Sequence, residues 1–223
     1  MKKLVLLPLL FLATQLMAQD GCSRFYPTEK GTSFEVTHYD KKNKVNAITA
    51  YTVGDATSDG VTYNTVVQND KKEEIAKGSF GILCEDGGIS IDFKSLFSAQ
   101  MQEQYANMET SFSGTNIDLP NDLSVGQTLP DANMTMKVNM GGIGMNMTVN
   151  ILNRKVEKRE EITTPAGTFD CYVITYTNQF KMGMTKKFDG KQWIADGVGL
   201  VKHEDYNKKG KVLNSSMLTA FQK

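Results

Sequence analysis

Thr32-Ser-Phe-Glu-Val-Thr-His-Tyr39, then Asp40-Lys-Lys-Asn43, then Ala47-Ile-Thr-Ala-Tyr-Thr-Val53: two β-type runs flank a four-residue polar break. Successive side chains of an extended strand point to opposite sides, so Phe34, Val36 and His38 share one face. The break opens on a short acidic residue and closes on Asn, which suits a type I turn followed by a bulge. The stretch therefore reads as a β-hairpin.

The same pattern extends outward. Val61–Gln68 and Ser79–Cys84 are further strand signals, divided by Asp59-Gly60 and by Asp70-Lys71-Lys72-Glu73. Asn207-Lys208-Lys209-Gly210 repeats the lysine-bearing turn near the end of the chain. Between lie Met134–Met140, Met145–Leu152, Arg154–Ile162, Phe169–Thr177, Phe180–Phe188, Lys191–Ala195, Gly199–Tyr206 and Val212–Phe221, all read as strands. Gly141-Gly142-Ile143-Gly144 and Thr164-Pro165-Ala166-Gly167 supply turn chemistry. Pro120 to Pro130 reads as an irregular connection. One stretch breaks the pattern: Phe93, Leu96, Phe97, Met101, Tyr105 and Met108 recur every three to four residues. That spacing predicts a single amphipathic helix over Phe93–Met108, with Asp92 as its cap. The expected fold is all-β: one large antiparallel curved sheet, or partly open barrel, with that helix across it. A sheet of so many strands must curl, split or close to manage its edges.

Residues 1–18 have the layout of a cleaved secretory signal: Lys2 and Lys3, an apolar run from Leu4 to Leu16, and Ala18 before Gln19-Asp20. The run is too short for the roughly 20 residues a spanning helix needs. Residues 19–223 then form a single domain, and no later segment has the length and apolarity of a span. Cys22 near the leader raises a lipid anchor as the rival, but Gln19-Asp20-Gly21 fits a lipobox poorly. The expected location is the periplasm or cell envelope. Lys+Arg and Asp+Glu balance at 25 each. That neutral sum argues against nucleic acid or an anionic membrane as partner. Of Cys22, Cys84 and Cys171, an oxidising compartment pairs two. Cys22 with Cys84 is the expected bridge, since it ties down the N-terminal arm; Cys171 reads as a buried, inert thiol.

Thr163-Thr-Pro-Ala-Gly-Thr-Phe-Asp-Cys-Tyr-Val-Ile-Thr-Tyr176, Trp193-Ile-Ala-Asp-Gly-Val-Gly-Leu-Val-Lys202, Tyr206-Asn-Lys-Lys-Gly-Lys211 and Ser215-Ser-Met-Leu218 resemble a family of exported proteins of Bacteroidetes-type bacteria. That family is a domain of unknown function whose relatives have a YmcC-like β fold. The resemblance runs from Tyr26-Pro27 through Gly31 to the C-terminus. It implies a curved antiparallel sheet closing toward a barrel and an envelope location, and it carries over no active site.

The catalytic and nucleotide-binding signatures are missing: no Gly-x-Ser-x-Gly, His-Glu-x-x-His, Cys-x-x-Cys, Gly-x-Gly-x-x-Gly or phosphate-loop lysine. The histidines are His38 and His203, each just before a lysine-rich turn. No catalytic residue, metal or cofactor is expected. Methionine is the oddity: Met134, Met136 and Met140 make one stripe, and Met145 and Met147 begin a second on the paired strand. Core filling, the lining of an apolar cavity and Cu(I) ligation compete here, since thioether is soft and adaptable; no His or Cys adjoins the cluster to favour copper. The leading expectation is a non-catalytic binder of an apolar, lipid-like ligand. Its ligand would lie between Met134, Met136, Met140, Met145 and Met147 and the helix residues Phe97 and Met101. The alternative is an interaction module with a filled core that binds an envelope partner.

Overall fold

The computed structural model describes residues 22–91, 109–140 and 143–223. Among them the chain forms thirteen strands: β1 Ser33–Asp40, β2 Val45–Ala56, β3 Gly60–Gln68, β4 Glu74–Glu85, β5 Gly88–Ile91, β6 Glu109–Gly114, β7 Ile117–Pro120, β8 Ala132–Met140, β9 Ile143–Thr164, β10 Gly167–Met182, β11 Met184–Ala195, β12 Gly199–Tyr206 and β13 Val212–Gln222. All belong to one sheet, ordered β6-β8-β9-β10-β11-β12-β13-β1-β2-β3-β4-β5-β7. Every pair is antiparallel. The all-β reading and its partly open form are both met. The helix expected over Phe93–Met108, with Phe97 and Met101, lies outside the described residues.

The two edges of the sheet are consecutive in the chain. β6 ends at Gly114 and β7 begins at Ile117, so the edges are within about 11 Å at the reach of an extended chain. The sheet therefore curls almost into a ring. β6 pairs with β8 and β7 with β5, so the segment 109–120 spans the seam without a continuous ladder closing it. Gly114 makes the crossing possible. Its φ is 147°, and a Cβ there would lie 2.1 Å from the Asn133 carbonyl oxygen.

Antiparallel order sends alternate turns to opposite ends. The turns after β1, β3, β8, β10 and β12 share one end; those after β2, β4, β9 and β11 share the other. Three turns at the first end are built alike. A side-chain oxygen of Asp40 accepts from the N–H of Lys42 and Lys44, that of Asn69 from Lys71 and Glu73, and that of Asn207 from Lys209 and Lys211, at 2.8–3.1 Å. Asn43, Lys72 and Gly210 then take positive φ and close each turn. Lys41, Lys42, Lys44, Lys71, Lys72, Lys208, Lys209 and Lys211 stand exposed on them. The opposite end carries Asp55, Asp59, Glu85, Asp86, Asp122 and Asp196. There Arg24 and Lys30 are tied to Asp196 and Asp55, both at 2.7 Å.

Several strand boundaries differ from expectation. Met145–Leu152 and Arg154–Ile162 are one strand, bulged at Asn153 (φ 56°), whose N–H donates to Asp131. The breaks expected near Asn178 and Asp189-Gly190 do not occur. β10 and β11 instead turn at Gly183. Asn178 is spent on a hydrogen bond to Asp205 (3.3 Å), and Gly190 lies under the Tyr176 ring, so neither makes a turn. Strands β5, β6 and β7, each six residues or fewer, were not anticipated.

The large core runs through the ring from Phe25 to Leu218. The N-terminal arm enters it: Cys22 is disulfide-bonded to Cys84, and Phe25, fully buried, meets Tyr172 edge-on at 5.8 Å. A second, smaller core holds Ala132, Met134, Met136, Val138 and Met147.

Candidate functional site

The inner face of β1–β4 is a set of cross-strand rows. The lowest is Val53–Tyr63–Phe80, with Tyr63 and Phe80 stacked at 5.0 Å. Above it runs Phe34–Tyr51–Thr65–Gly78, with Phe34 and Tyr51 stacked at 4.7 Å. Above that runs Val36–Thr49–Val67–Ala76. The two upper rows end at β4 in small residues, Gly78 and Ala76, whereas the lowest ends in Phe80. Interiors pack to near-crystal density, so small residues there leave space. The result is a cavity of about 390 Å³ over these rows, lined also by Tyr26, Ile91 and Leu200. Its upper lining, the Val67–Ala76 pair, lies just below the Asn69–Glu73 turn, so the cavity reaches toward the lysine-bearing end.

The walls are mainly aromatic and aliphatic, and the one charged side chain lining them, Lys77, is exposed and paired with Glu74 at 3.1 Å. Burial, then the neighbouring Tyr51, pushes the Tyr26 phenol up to about 12. Burial raises Tyr51 and Tyr63 as well, and the Tyr63 hydroxyl donates to the Pro27 carbonyl. These phenols stay protonated across the physiological range.

One side of the cavity is polar. Thr49 bonds His38 Nε2 at 3.0 Å. His38 and His203 both pair across strands with Ser216 of β13. Burial, then His203, lowers the His38 pKa. His203 Nε2 lies 3.2 Å from Asp205, a buried carboxylate that also accepts from Asn178. The sequence placed the histidines before lysine-rich turns; only strand order shows them to be neighbours. Ser, His and Asp thus meet, but the imidazoles bond Thr49 and Asp205 rather than the Ser216 hydroxyl, so the nucleophile–base contact of acyl-transfer chemistry is not formed. Cys171 is fully buried, its Sγ donates to the Phe169 carbonyl, and burial pushes its thiol up to about 12. That is an inert thiol.

Arg154 is the largest fully buried side chain, 1% exposed. Its Nη1 donates to the Pro130 carbonyl at 2.7 Å and pins the 121–131 connection to β9. Burial lowers its pKa, against the opposing fields of Asp118, Tyr176, Tyr26 and Asp131.

The methionine hairpin lies elsewhere in the sheet. Met134, Met136 and Met147 are buried and pack with Phe112, Val149 and Phe180, while Met145 is 36% exposed. Met140 has its backbone in β8. None of the five lines the aromatic cavity. Sequence patterning pointed to the methionines because they are unusual; the cavity is made of ordinary residues whose sizes matter only once the rows are in register. No cluster of His, Cys, Asp or Glu able to hold a metal occurs among the described residues. No helix among them is long and apolar enough to cross a membrane.

The model of the DUF3108-like family matches residues 29–218, from just before β1 into β13. The chain belongs to the DUF3108-like family. Two crystal structures resemble this fold. An inferred exported protein with a YmcC-like fold from Bacteroides fragilis is 22% identical; the match covers 91% of this chain and 100% of that one, with a TM-score of 0.71. An inferred lipoprotein from Parabacteroides distasonis is 23% identical, with coverage of 90% and 99% and a TM-score of 0.70. At these identities the DUF3108-like chain shares their fold. No curated protein matches its sequence.

Proposed function

We propose that this protein is an exported envelope protein that binds an apolar, lipid-sized ligand in the cavity over β1–β4, without catalysing a reaction. The observation that carries the reading is the cavity itself: about 390 Å³, walled by stacked aromatics and left open by Gly78 and Ala76. That volume falls in the range of small-molecule sites, which are mostly apolar with a few polar groups to set orientation. Here the polar groups are the Thr49 hydroxyl and the Tyr26 and Tyr51 phenols, which suit a carbonyl or hydroxyl on an otherwise greasy molecule. Export rests on the leader at residues 1–18, and the descriptions of the two crystal relatives agree with it.

The test is native mass spectrometry of the mature protein purified from its own envelope, followed by organic extraction, alongside the variant Ala76→Phe. The expected result is an adduct of lipid-like mass in the wild type and a bare chain in the variant, with both retaining the disulfide and the same circular dichroism. The reading fails if the wild type is bare and also takes up no fluorescent fatty acid after delipidation.

A further inference from the structure

The neutral sum of charges conceals a separation along the ring. Three turns of identical build carry eight exposed lysines to one end, against Asp40, Asp70, Glu73 and Glu74 on or beside the same turns, an excess of four positive charges, while the turns at the other end are acidic. Among the described residues, Lys41, Lys42, Lys44, Lys71, Lys208, Lys209 and Lys211 form no ion pair.

A second feature coincides with the first. Most of the large apolar side chains that remain exposed, Leu83 and Val125 apart, lie toward the same end: Val45, Ile75, Met145, Met182, Met184, Val212 and Leu213. Val45 follows Lys44, Val212 follows Lys211, and Met182 and Met184 flank the β10–β11 turn between Lys181 and Lys186. Met184 is 79% exposed and Ile75 56%. Apolar side chains interleaved with unpaired lysines do not serve solubility alone. The combination suits the boundary between lipid headgroups and acyl chains, where lysines meet anionic headgroups and apolar tips enter the layer below.

We infer that the lysine-bearing end of the ring docks on an anionic lipid surface, with the β1–β2, β3–β4, β10–β11 and β12–β13 turns facing the bilayer. The opposite, acidic end holds the Cys22 arm and faces away. Charge complementarity selects the partner: an anionic surface attracts one end of this molecule and repels the other, which fixes orientation as well as affinity. The contact needs no spanning segment. It stands independently of ligand binding in the cavity, although the cavity reaches toward this same end.

The experiment is flotation of the mature protein with vesicles of phosphatidylcholine containing about one third phosphatidylglycerol, against vesicles of phosphatidylcholine alone. Binding is expected to the anionic vesicles, to weaken as salt is raised, and to be negligible on the neutral ones. Lys42→Glu, Lys71→Glu and Lys209→Glu together should weaken it at least about 100-fold, since each lysine near such a surface is worth roughly 5-fold and reversal adds repulsion. These side chains are exposed, and the turns are held by backbone N–H groups, so the fold survives the change. Ile75→Ser with Met184→Ser should weaken binding at constant charge. Ala76→Phe should bind vesicles like the wild type whatever it does to ligand uptake, which separates this inference from the cavity reading. No binding to anionic vesicles, equal binding to neutral ones, or wild-type binding by the triple variant would each overturn the inference.

Discussion

Replacing both halves of the Cys22–Cys84 bridge, as Cys22→Ser with Cys84→Ser, should lower stability by about 4 kcal/mol. The bridge closes a loop with a sequence separation of 62. On the chain-entropy account, cross-linking a loop of that length removes about 14 cal/mol/K from the unfolded chain, or about 4 kcal/mol at 25 °C. For a domain of this size each kcal/mol moves the melting midpoint by about 2–4 °C, so the drop should be about 8–16 °C. Urea unfolding followed by fluorescence is the assay. The single tryptophan, Trp193, is 5% exposed and its indole N–H donates to Glu160 at 2.6 Å, so its emission reports loss of the fold. The arm has other ties: Phe25 is buried, and Arg24 donates to Asp196 and to Asn121. They belong to the folded state and persist in the variant, so they do not replace the constraint on the unfolded one. A loss below about 1 kcal/mol would refute the reasoning and show that the unfolded chain is already compact around these two sites.

Gly190→Ala places a Cβ 2.3 Å from the Tyr176 ring; it should cost about 1–3 kcal/mol in the urea midpoint, and Tyr176→Leu in the same chain should recover most of that. His38 is half-buried, and desolvation, then His203, holds its pKa below the ordinary 6.5. Its contribution is therefore complete above pH 6.5 and is lost as pH falls through the lower folded-state value, and His38→Asn should flatten that limb of the stability profile. A thiol reagent should label none of the native protein in mildly alkaline buffer and one site, Cys171, after denaturation without reductant; rapid native labelling would contradict its burial.

What was legible in the sequence was what strands write locally. The Asp40 hairpin, the lysine turns and the alternation of Phe34, Val36 and His38 are set by neighbours two to four residues apart, and the structure keeps all of them. The pairing of Cys22 with Cys84 followed from compartment and from the need to secure the arm. The strand ends placed on either side of Asn178 and Gly190 do not occur because these residues serve a hydrogen bond to Asp205 and a close approach by Tyr176 instead. β5 and β7 are four residues each, too short for periodicity to register. The aromatic cavity was invisible for a related reason. Gly78 and Ala76 look unremarkable until β3 sets Thr65 and Val67 opposite them. The separation of lysine-bearing from acidic turns was hidden as well, because a sum of charges carries no position.

The pairing of β1 with β13 has a consequence for how the chain reaches this state. Ser33 lies opposite Gln222 and Val36 opposite Leu218, so the first and last strands meet in the middle of the sheet. Flanking pairs on either side, such as β1 with β2 and β12 with β13, join strands adjacent in sequence and form locally. Among the strand pairs of the described residues this one alone spans nearly the whole chain, and contacts of such separation are slow to form. During synthesis β1 stands for most of that time as a bare strand edge with Phe34 and Val36 unsheltered, an invitation to wrong partners. β13 is thus the strand that guards β1, and truncation within Val212–Gln222 should be felt as aggregation before it is felt as reduced stability.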